Sequence, residues 1–227
     1  MSVPPDGGTT VAPPRALAGP LSVVAACAAV VALLGLGVRT GAAWQLDVDT
    51  RASEALYAGD DRSRWLDVLL EVLTAPGLSV VRYLVAVPVL IWLARRRDWR
   101  ALVWVVVAAV FVRHLTSFLK EFFGRVRPPF EEGGAGYDSL SFPSGHSSGV
   151  AALVAIGLVL AWPRLSAPGR RLWGALGALL VLLVGLTRMW LGVHYLSDVV
   201  GGWALGLGWT LLTAVVFGVL PRREPGR

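Results

Sequence analysis

Long apolar runs alternate with short polar segments along most of this chain. Six of the runs approach or exceed the length of about 20 mostly apolar residues that a bilayer-spanning helix needs. They cover residues 17–38, 78–94, 101–119, 147–162, 172–190 and 196–220. The fourth run is short, so we expect its helix to begin earlier, near Ser144. The pattern predicts an all-α polytopic membrane protein with six transmembrane helices.

The segment between the first two runs, residues 39–77, is mixed in charge and has a different pattern. Within it, residues 63–74 read SRWLDVLLEVLT, with apolar side chains at helical spacing at Trp65, Leu66, Leu69, Leu70 and Leu73. This spacing predicts an amphipathic helix at the membrane interface, with Trp65 near the headgroups. A buried extension of the second spanning helix is the alternative interpretation.

The two ends of the chain carry no apolar run. Residues 1–15 are rich in proline, glycine and threonine, which predicts a disordered cytoplasmic tail. Residues 16–220 are predicted to form a single membrane domain, and residues 221–227 a basic cytoplasmic tail.

The first run could be a signal peptide, because Gly-Ala-Ala follows it at 41–43. Its length and the single arginine before it favour a retained anchor instead.

Composition and charge narrow the class of protein and its orientation. Of the 227 residues 55% are hydrophobic and 16% charged, which is too apolar for an ordinary soluble domain. The net charge of +6 does not indicate a nucleic-acid-binding protein, because the arginines cluster in short segments, at 95–100, 164–171 and 222–227. The positive-inside rule assigns these segments and both termini to the cytoplasm. The segments 39–77, 120–142 and 191–195 then lie on the outer side of the membrane.

Two of these outer segments concentrate charged residues at predicted helix ends. They read KEFFGRVRPP from Lys120 and TRMWLGVHYLSD from Thr187, and PSGH lies between them at residues 143–146. A charged side chain at membrane depth costs about 2.5–3.5 kcal/mol on insertion scales, so such clusters usually face a polar cavity. For any single cation, snorkelling to the headgroups is the alternative.

Three of the cations suit a phosphate group. Lys120, the only lysine, and Arg127 are seven residues apart, which places them on one helix face if the helix continues that far. Arg188 lies at the outer end of the fifth helix. Permanent positive charges that converge on one point match the oxygens of a phosphate. Ser144 and Gly145 open the fourth helix, whose free backbone N–H groups favour an anion.

Two histidines and one carboxylate add acid–base chemistry. His194 and Asp198 are spaced i, i+4, so the carboxylate can fix the tautomer of an oriented nucleophilic imidazole. A solvated interfacial pair is the alternative for this spacing taken alone. His146, on another helix, is the candidate acid that protonates a leaving oxygen. His114 has no motif and is interpreted as a packed or pore-facing histidine.

Three sequence motifs in a fixed order carry a family resemblance. They are Lys120-x6-Arg127-Pro128, Pro143-Ser144-Gly145-His146 and Arg188-x5-His194-x3-Asp198. Together they resemble the motifs of the type 2 phosphatidic acid phosphatase family, which also includes vanadium haloperoxidases and bacterial acid phosphatases. The family's membrane members have six spanning helices with the site at the outer face. One departure is Thr187, which stands where the third motif commonly has serine and keeps a hydroxyl.

The resemblance implies a role for each motif residue. The phosphoryl oxygens are bound by Lys120, Arg127, Arg188, Ser144 and the amide of Gly145. His194 forms a phosphohistidine, Asp198 orients it, and His146 protonates the leaving group and then activates water. Neither a metal nor another cofactor is implied.

The implied function is a metal-independent membrane phosphatase whose partners are the bilayer and a lipid phosphate or diphosphate. Phosphatidic acid, phosphatidylglycerol phosphate and polyprenyl diphosphates fit the same residues, so the sequence leaves the substrate open, as it does the oligomeric state. A phosphotransferase is the alternative enzyme. An anion transporter is the alternative from another class, because Arg82 and Arg113 lie within predicted spans. A serine hydrolase using Ser144 is disfavoured, since acyl transfer does not call for three cations.

Overall fold

The computed structural model describes residues 14–220, which contain eight α-helices and no β-strand. The helices are α1 Pro14–Thr40, α2 Ala43–Leu56, α3 Arg64–Thr74, α4 Ser79–Arg95, α5 Trp99–Phe123, α6 Gly145–Ala161, α7 Ala167–Trp190 and α8 Leu196–Val216. The all-α prediction is therefore confirmed. Most of the tail predicted at 1–15, and all of the tail predicted at 221–227, lie outside the described residues. The first helix begins at Pro14, slightly before its predicted start.

Residues 14–220 contain five helices that could cross a membrane, and a sixth span if one bent pair of helices is counted as a single span. Each of α1, α5, α6, α7 and α8 is long and apolar enough to cross a membrane. The shorter α4 has 17 residues and meets the same test only together with α3, from which it is bent by 47°. The predicted amphipathic helix is α3 itself, which packs beside α7 and leaves the side chain of Trp65 84% exposed.

The sequence pattern did not predict α2, and the burial of its side chains explains why. Its buried residues are Gln45, Asp49 and Ser53, which lie at i, i+4 and i+8 on one face. A helix whose buried face is polar carries no apolar stripe, so hydrophobic periodicity does not reveal it. Two residues of this polar face, Gln45 and Asp49, hydrogen-bond with Ser197 at the start of α8.

Several helices begin or end a few residues away from their predicted bounds. The fifth helix, α5, ends at Phe123, because Gly124 adopts a left-handed conformation with φ of 68° and closes the helix. Arg127 therefore lies in an irregular segment and does not share a helix face with Lys120. The last helix ends at Val216 instead of residue 220. By contrast, α6 begins at Gly145, which agrees with the early start expected near Ser144.

The helices α6 and α8 pack closely through small residues and bring their N-termini together. A Cβ atom added at Gly202 of α8 would lie 2.6 Å from the carbonyl oxygen of Ser144, so only glycine fits at this crossing. At the same end, the backbone N–H of Ser144 donates to the carbonyl oxygen of Asp198 at 2.9 Å. This contact places the second and third sequence motifs beside each other.

Candidate active site

The three motifs meet at one end of the helix bundle. The first comes from the end of α5 and the segment after it, the second from the start of α6, and the third from the end of α7 and the start of α8. Next to them lies a cavity of about 480 Å³ between α4, α5 and α6. Its polar and charged lining includes Arg82, Arg113, Lys120, Ser139 and His146.

His194 and Asp198 form a buried pair. Nδ1 of His194 lies 3.3 Å from Oδ2 of Asp198, and the two side chains are 2% and 0% exposed. The same carboxylate oxygen accepts the backbone N–H of Tyr195 at 2.9 Å, within the first turn of α8. A carboxylate opposite Nδ1 favours the tautomer with the proton on Nδ1, which leaves the lone pair on Nε2. The spacing i, i+4 predicted this contact correctly.

Arg127 is fixed beside the other ring nitrogen of His194. Its Nη1 lies 3.2 Å from Nε2 of His194 and donates to the carbonyl oxygen of Val193 at 2.7 Å. On its other side, Arg127 donates to the backbone oxygen and the hydroxyl of Ser139, at 2.8 and 2.9 Å. Its guanidinium also stacks over the ring of Tyr137 at 4.7 Å. A cation held in this way faces any group that approaches Nε2.

Lys120 and Arg188 complete the cluster of cations around His194. Nζ of Lys120 donates to the carbonyl oxygen of Leu140, and Arg188 reaches the hydroxyl of Thr74 at 3.4 Å. Arg188 is 5% exposed, and its Nε has no acceptor among residues 14–220. Burial and the positive charges of Arg127, Lys120 and Arg188 hold the pKa of His194 well below its usual range. The imidazole is therefore neutral at physiological pH.

The second motif supplies a helix N-terminus. Ser144 is the N-cap of α6, and its hydroxyl accepts the backbone N–H of Ser147 at 3.4 Å. Gly145 is open, since a Cβ there would meet only a methyl group of Thr116 at 3.8 Å. His146 lines the cavity next to Gly145, and the turn before α4 packs against it at Gly77. Gly145 and His146, both half-buried at the start of α6, thus face the same space.

The family model of the PAP2 superfamily matches residues 81–221 of this chain. The chain belongs to the PAP2 superfamily. The family resemblance of the three motifs is thereby confirmed, and all three lie within the matched residues.

Proteins named as lipid phosphatases resemble the chain in sequence and in structure. Phosphatidylglycerophosphatase B of Bacillus subtilis is 36% identical over 64% of this chain and 72% of its own length. Lipid A 1-phosphatase of Rhizobium johnstonii is 37% identical over 48% of this chain and 44% of its own length. The crystal structure of the transmembrane PAP2-type phosphatidylglycerolphosphate phosphatase from Bacillus subtilis matches with a TM-score of 0.68 and 28% identity. That match covers 90% of this chain and 98% of the other.

Sequence reasoning assigned no role to an ionic network behind the PAP2 motifs. Nη1 of Arg125 lies 2.9 Å from Oδ1 of Asp198, and its Nη2 lies 2.7 Å from Oδ2 of Asp49. Asp49 also accepts the backbone N–H and the hydroxyl of Ser197, at 2.9 and 2.6 Å. The carboxylate of Asp198 is therefore supported from α2 through Arg125. The polar stripe of α2, at Gln45, Asp49 and Ser53, was the available signal.

Two other residues considered from the sequence lie apart from the reacting groups. His114 is exposed on α5 and forms an edge contact with Phe111, with ring centroids 6.1 Å apart. The hydroxyl of Thr187 is buried and donates to the carbonyl oxygen of Val184 at 2.7 Å within its own helix. Among residues 14–220 there is no group of three or more histidine, cysteine or acidic side chains placed to hold a metal ion.

Proposed function

We propose that this PAP2 protein is a metal-independent membrane phosphatase that hydrolyses a lipid phosphate or diphosphate through a phosphohistidine at His194. The supporting observation is a buried His194 whose Nδ1 faces Asp198 and whose Nε2 lies 3.2 Å from Arg127, with the charges of Lys120 and Arg188 also acting on it. Membership of the superfamily, and relatives that are lipid phosphatases, support the class of reaction. The chain is accordingly a phosphoric ester hydrolase of the membrane.

The first half of the reaction transfers the phosphoryl group to the enzyme. Nε2 of His194 attacks phosphorus, the bond from phosphorus to the lipid oxygen breaks, and His146 gives its proton to that oxygen. The positive charge that develops on the imidazole is stabilised by Asp198, whose oxygen already faces Nδ1 at 3.3 Å. The products are the dephosphorylated lipid and a phosphohistidine.

In the second half of the reaction, water attacks the phosphohistidine. His146, now neutral, removes a proton from the water, the phosphorus–nitrogen bond breaks, and inorganic phosphate leaves. The cations Lys120, Arg127 and Arg188, with Ser144 and the amide of Gly145, stabilise the charge on the phosphoryl oxygens in both transition states. The enzyme returns with His194 neutral and His146 protonated.

The substrate comes from the lipids of the surrounding bilayer. The cavity lies between spanning helices, so a headgroup can reach the cations while the tails stay in the apolar phase. Phosphatidic acid, phosphatidylglycerol phosphate and polyprenyl diphosphates are the candidate substrates. We place the site on the extracytoplasmic side of the cell membrane, with both termini in the cytoplasm, on the distribution of arginine in the loops.

Phosphate release by the purified full chain in detergent tests the proposal. We expect release from at least one of the three lipids, and its loss in His194→Ala. His114→Ala is the matched control, because that histidine is exposed on α5 and outside the cation cluster; its turnover should equal that of the wild type. Vanadate, which adopts the five-coordinate geometry of the transition state, should inhibit. Undiminished release by His194→Ala would overturn the mechanism.

A further inference from the structure

Arg82 is a buried arginine that the proposed reaction does not use. It lies in the first turn of α4 and is 4% exposed. Its Nη2 donates to the hydroxyl of Ser79 at 2.8 Å, whereas its Nε and Nη1 have no acceptor among residues 14–220. A buried cation with two unpaired nitrogen donors is costly, and in a membrane protein it usually marks a ligand or a pathway.

The position of Arg82 depends on a glycine next to the active site. A Cβ atom at Gly149 of α6 would lie 2.6 Å from Cζ of Arg82, so the guanidinium rests directly on the helix backbone. Gly149 follows Gly145 by four residues, which is about one helical turn. The guanidinium therefore lies about one turn further along α6 than the start of the helix, where we place the reacting phosphate.

Arg82 separates a polar cavity from an apolar one. It lines the cavity of about 480 Å³ together with Lys120 and His146. It also lines a second cavity of about 220 Å³ between α4, α5 and α6, whose other lining residues are all apolar or glycine. A group bound at Arg82 therefore lies between the reacting phosphate and an apolar space that suits a lipid tail.

A second cation stands on the open side of the same cavity. Arg113 is exposed and lies seven residues before Lys120 on α5, which is about 10 Å along the helix axis. Arg82 and Arg113 line the same cavity, so the two positive charges face a common space. Like charges repel, and an anion between them would relieve this repulsion.

We propose that Arg82, assisted by Arg113, binds a second phosphate of the substrate, located between the reacting phosphate and the lipid tail. This inference rests on the proposed function, because it needs the reacting phosphate at His194. Two of the candidate lipids carry such a phosphate. In a polyprenyl diphosphate it is the phosphate esterified to the tail, and in phosphatidylglycerol phosphate it is the phosphodiester. Phosphatidic acid has none.

Comparison of the three lipids in Arg82→Gln tests the inference. We expect kcat/KM for the lipids with two phosphates to fall about ten- to a hundredfold, the usual range for loss of a hydrogen bond to a charged group. The kcat/KM for phosphatidic acid should stay near the wild-type value. Loss with the polyprenyl diphosphate alone, or with phosphatidylglycerol phosphate alone, identifies which lipid the subsite serves. Equal loss on all three, or no loss on any, overturns the inference.

Two further measurements guard against misfolding of the variant. Arg95→Gln is the matched control, because Arg95 is exposed at the other end of α4 and should leave all three rates unchanged. In the wild type, a non-hydrolysable lipid methylenediphosphonate should inhibit more strongly than a lipid phosphonate with the same tail; equal inhibition overturns the inference. If the wild type released phosphate from none of the lipids, the failure would be that of the proposed function.

Discussion

Nη2 of Arg125 lies 2.7 Å from Oδ2 of Asp49, and both side chains are buried. This ion pair connects α2 to the segment after α5. Arg125 also contacts Asp198 of α8 at 2.9 Å. The carboxylate that faces His194 is thus part of a chain of charges that begins on a different helix. Neither Asp49 nor Arg125 belongs to the three motifs.

We expect Asp49→Asn to slow turnover without direct loss of substrate binding. Removing one partner of a buried ion pair costs about 3–5 kcal/mol of stability and leaves Arg125 free to draw Asp198 away from His194. The expected result is a kcat reduced about tenfold or more with KM little changed, together with a lower Tm. Asp47→Asn is the control, because Asp47 is exposed on the same helix and, within residues 14–220, pairs only with Arg51. Equal kcat in the two variants would contradict the positioning role.

The proposed role of His146 predicts a dependence on the leaving group. In His146→Ala, hydrolysis of a lipid phosphate should fall about 10²–10⁴-fold, the usual contribution of a general acid. Hydrolysis of 4-nitrophenyl phosphate should fall much less, because nitrophenolate leaves without a proton. His194→Ala should lose both activities alike. If His146→Ala lost both substrates equally, His146 would not be the acid.

The environment of His194 predicts how it responds to pH. Since burial and nearby cations lower its pKa, the neutral form persists as the pH falls through the ordinary value for histidine, about 6.5. The nucleophile must be neutral to attack, so acidification to that value should not remove it. NMR of ¹⁵N-labelled imidazoles tests this directly, because the chain has three histidines and His194→Ala assigns the signal. A midpoint near 6.5 for His194 would contradict the account.

The proposed topology is testable with a single introduced cysteine. In the turn Gly134–Gly136, a side chain at Gly136 would meet no atom within 4 Å, whereas one at Gly134 would collide with the backbone of Pro128. Gly136→Cys should react with an impermeant thiol reagent from outside intact cells. Ala167→Cys, at the exposed start of α7, should react only after the inner face is opened, and the native Cys27 is buried. The opposite labelling pattern would reverse the orientation.

Much of the fold could be predicted because lipid imposes a simple rule on sequence. A span must present apolar side chains and satisfy its backbone internally, so α1 and α5–α8 are visible as apolar runs. The rule does not reveal α2, whose buried face is polar. The seven-residue spacing of Lys120 and Arg127 would place them on one helix face only if the helix continued, and α5 ends before Arg127. Gly124 was the available signal, because a glycine after the last turn commonly ends a helix.

The motif residues of the candidate site could be predicted from the sequence, but the residues that hold them in place could not. His194 and Asp198 are four residues apart, and the local turn of the chain into α8 brings them together. Arg125 and Asp49 are 76 residues apart, and their contact depends on how α2 packs in the bundle. Arg82 was noted as an intramembrane charge, yet only the structure relates it to Gly149 and to two cavities. Contacts between residues that are close in sequence can be predicted from their spacing, whereas contacts between distant residues depend on tertiary packing.

The central claim is that phosphate passes through Nε2 of His194, and a rapid-quench experiment tests it most directly. Full-length protein mixed with a lipid labelled in its reacting phosphate should, after quenching in alkali, carry an acid-labile phosphate on the peptide containing His194. His194→Ala should carry none, and His114→Ala should match the wild type. Label on another residue, or none while the wild type releases the dephosphorylated lipid, would contradict the account.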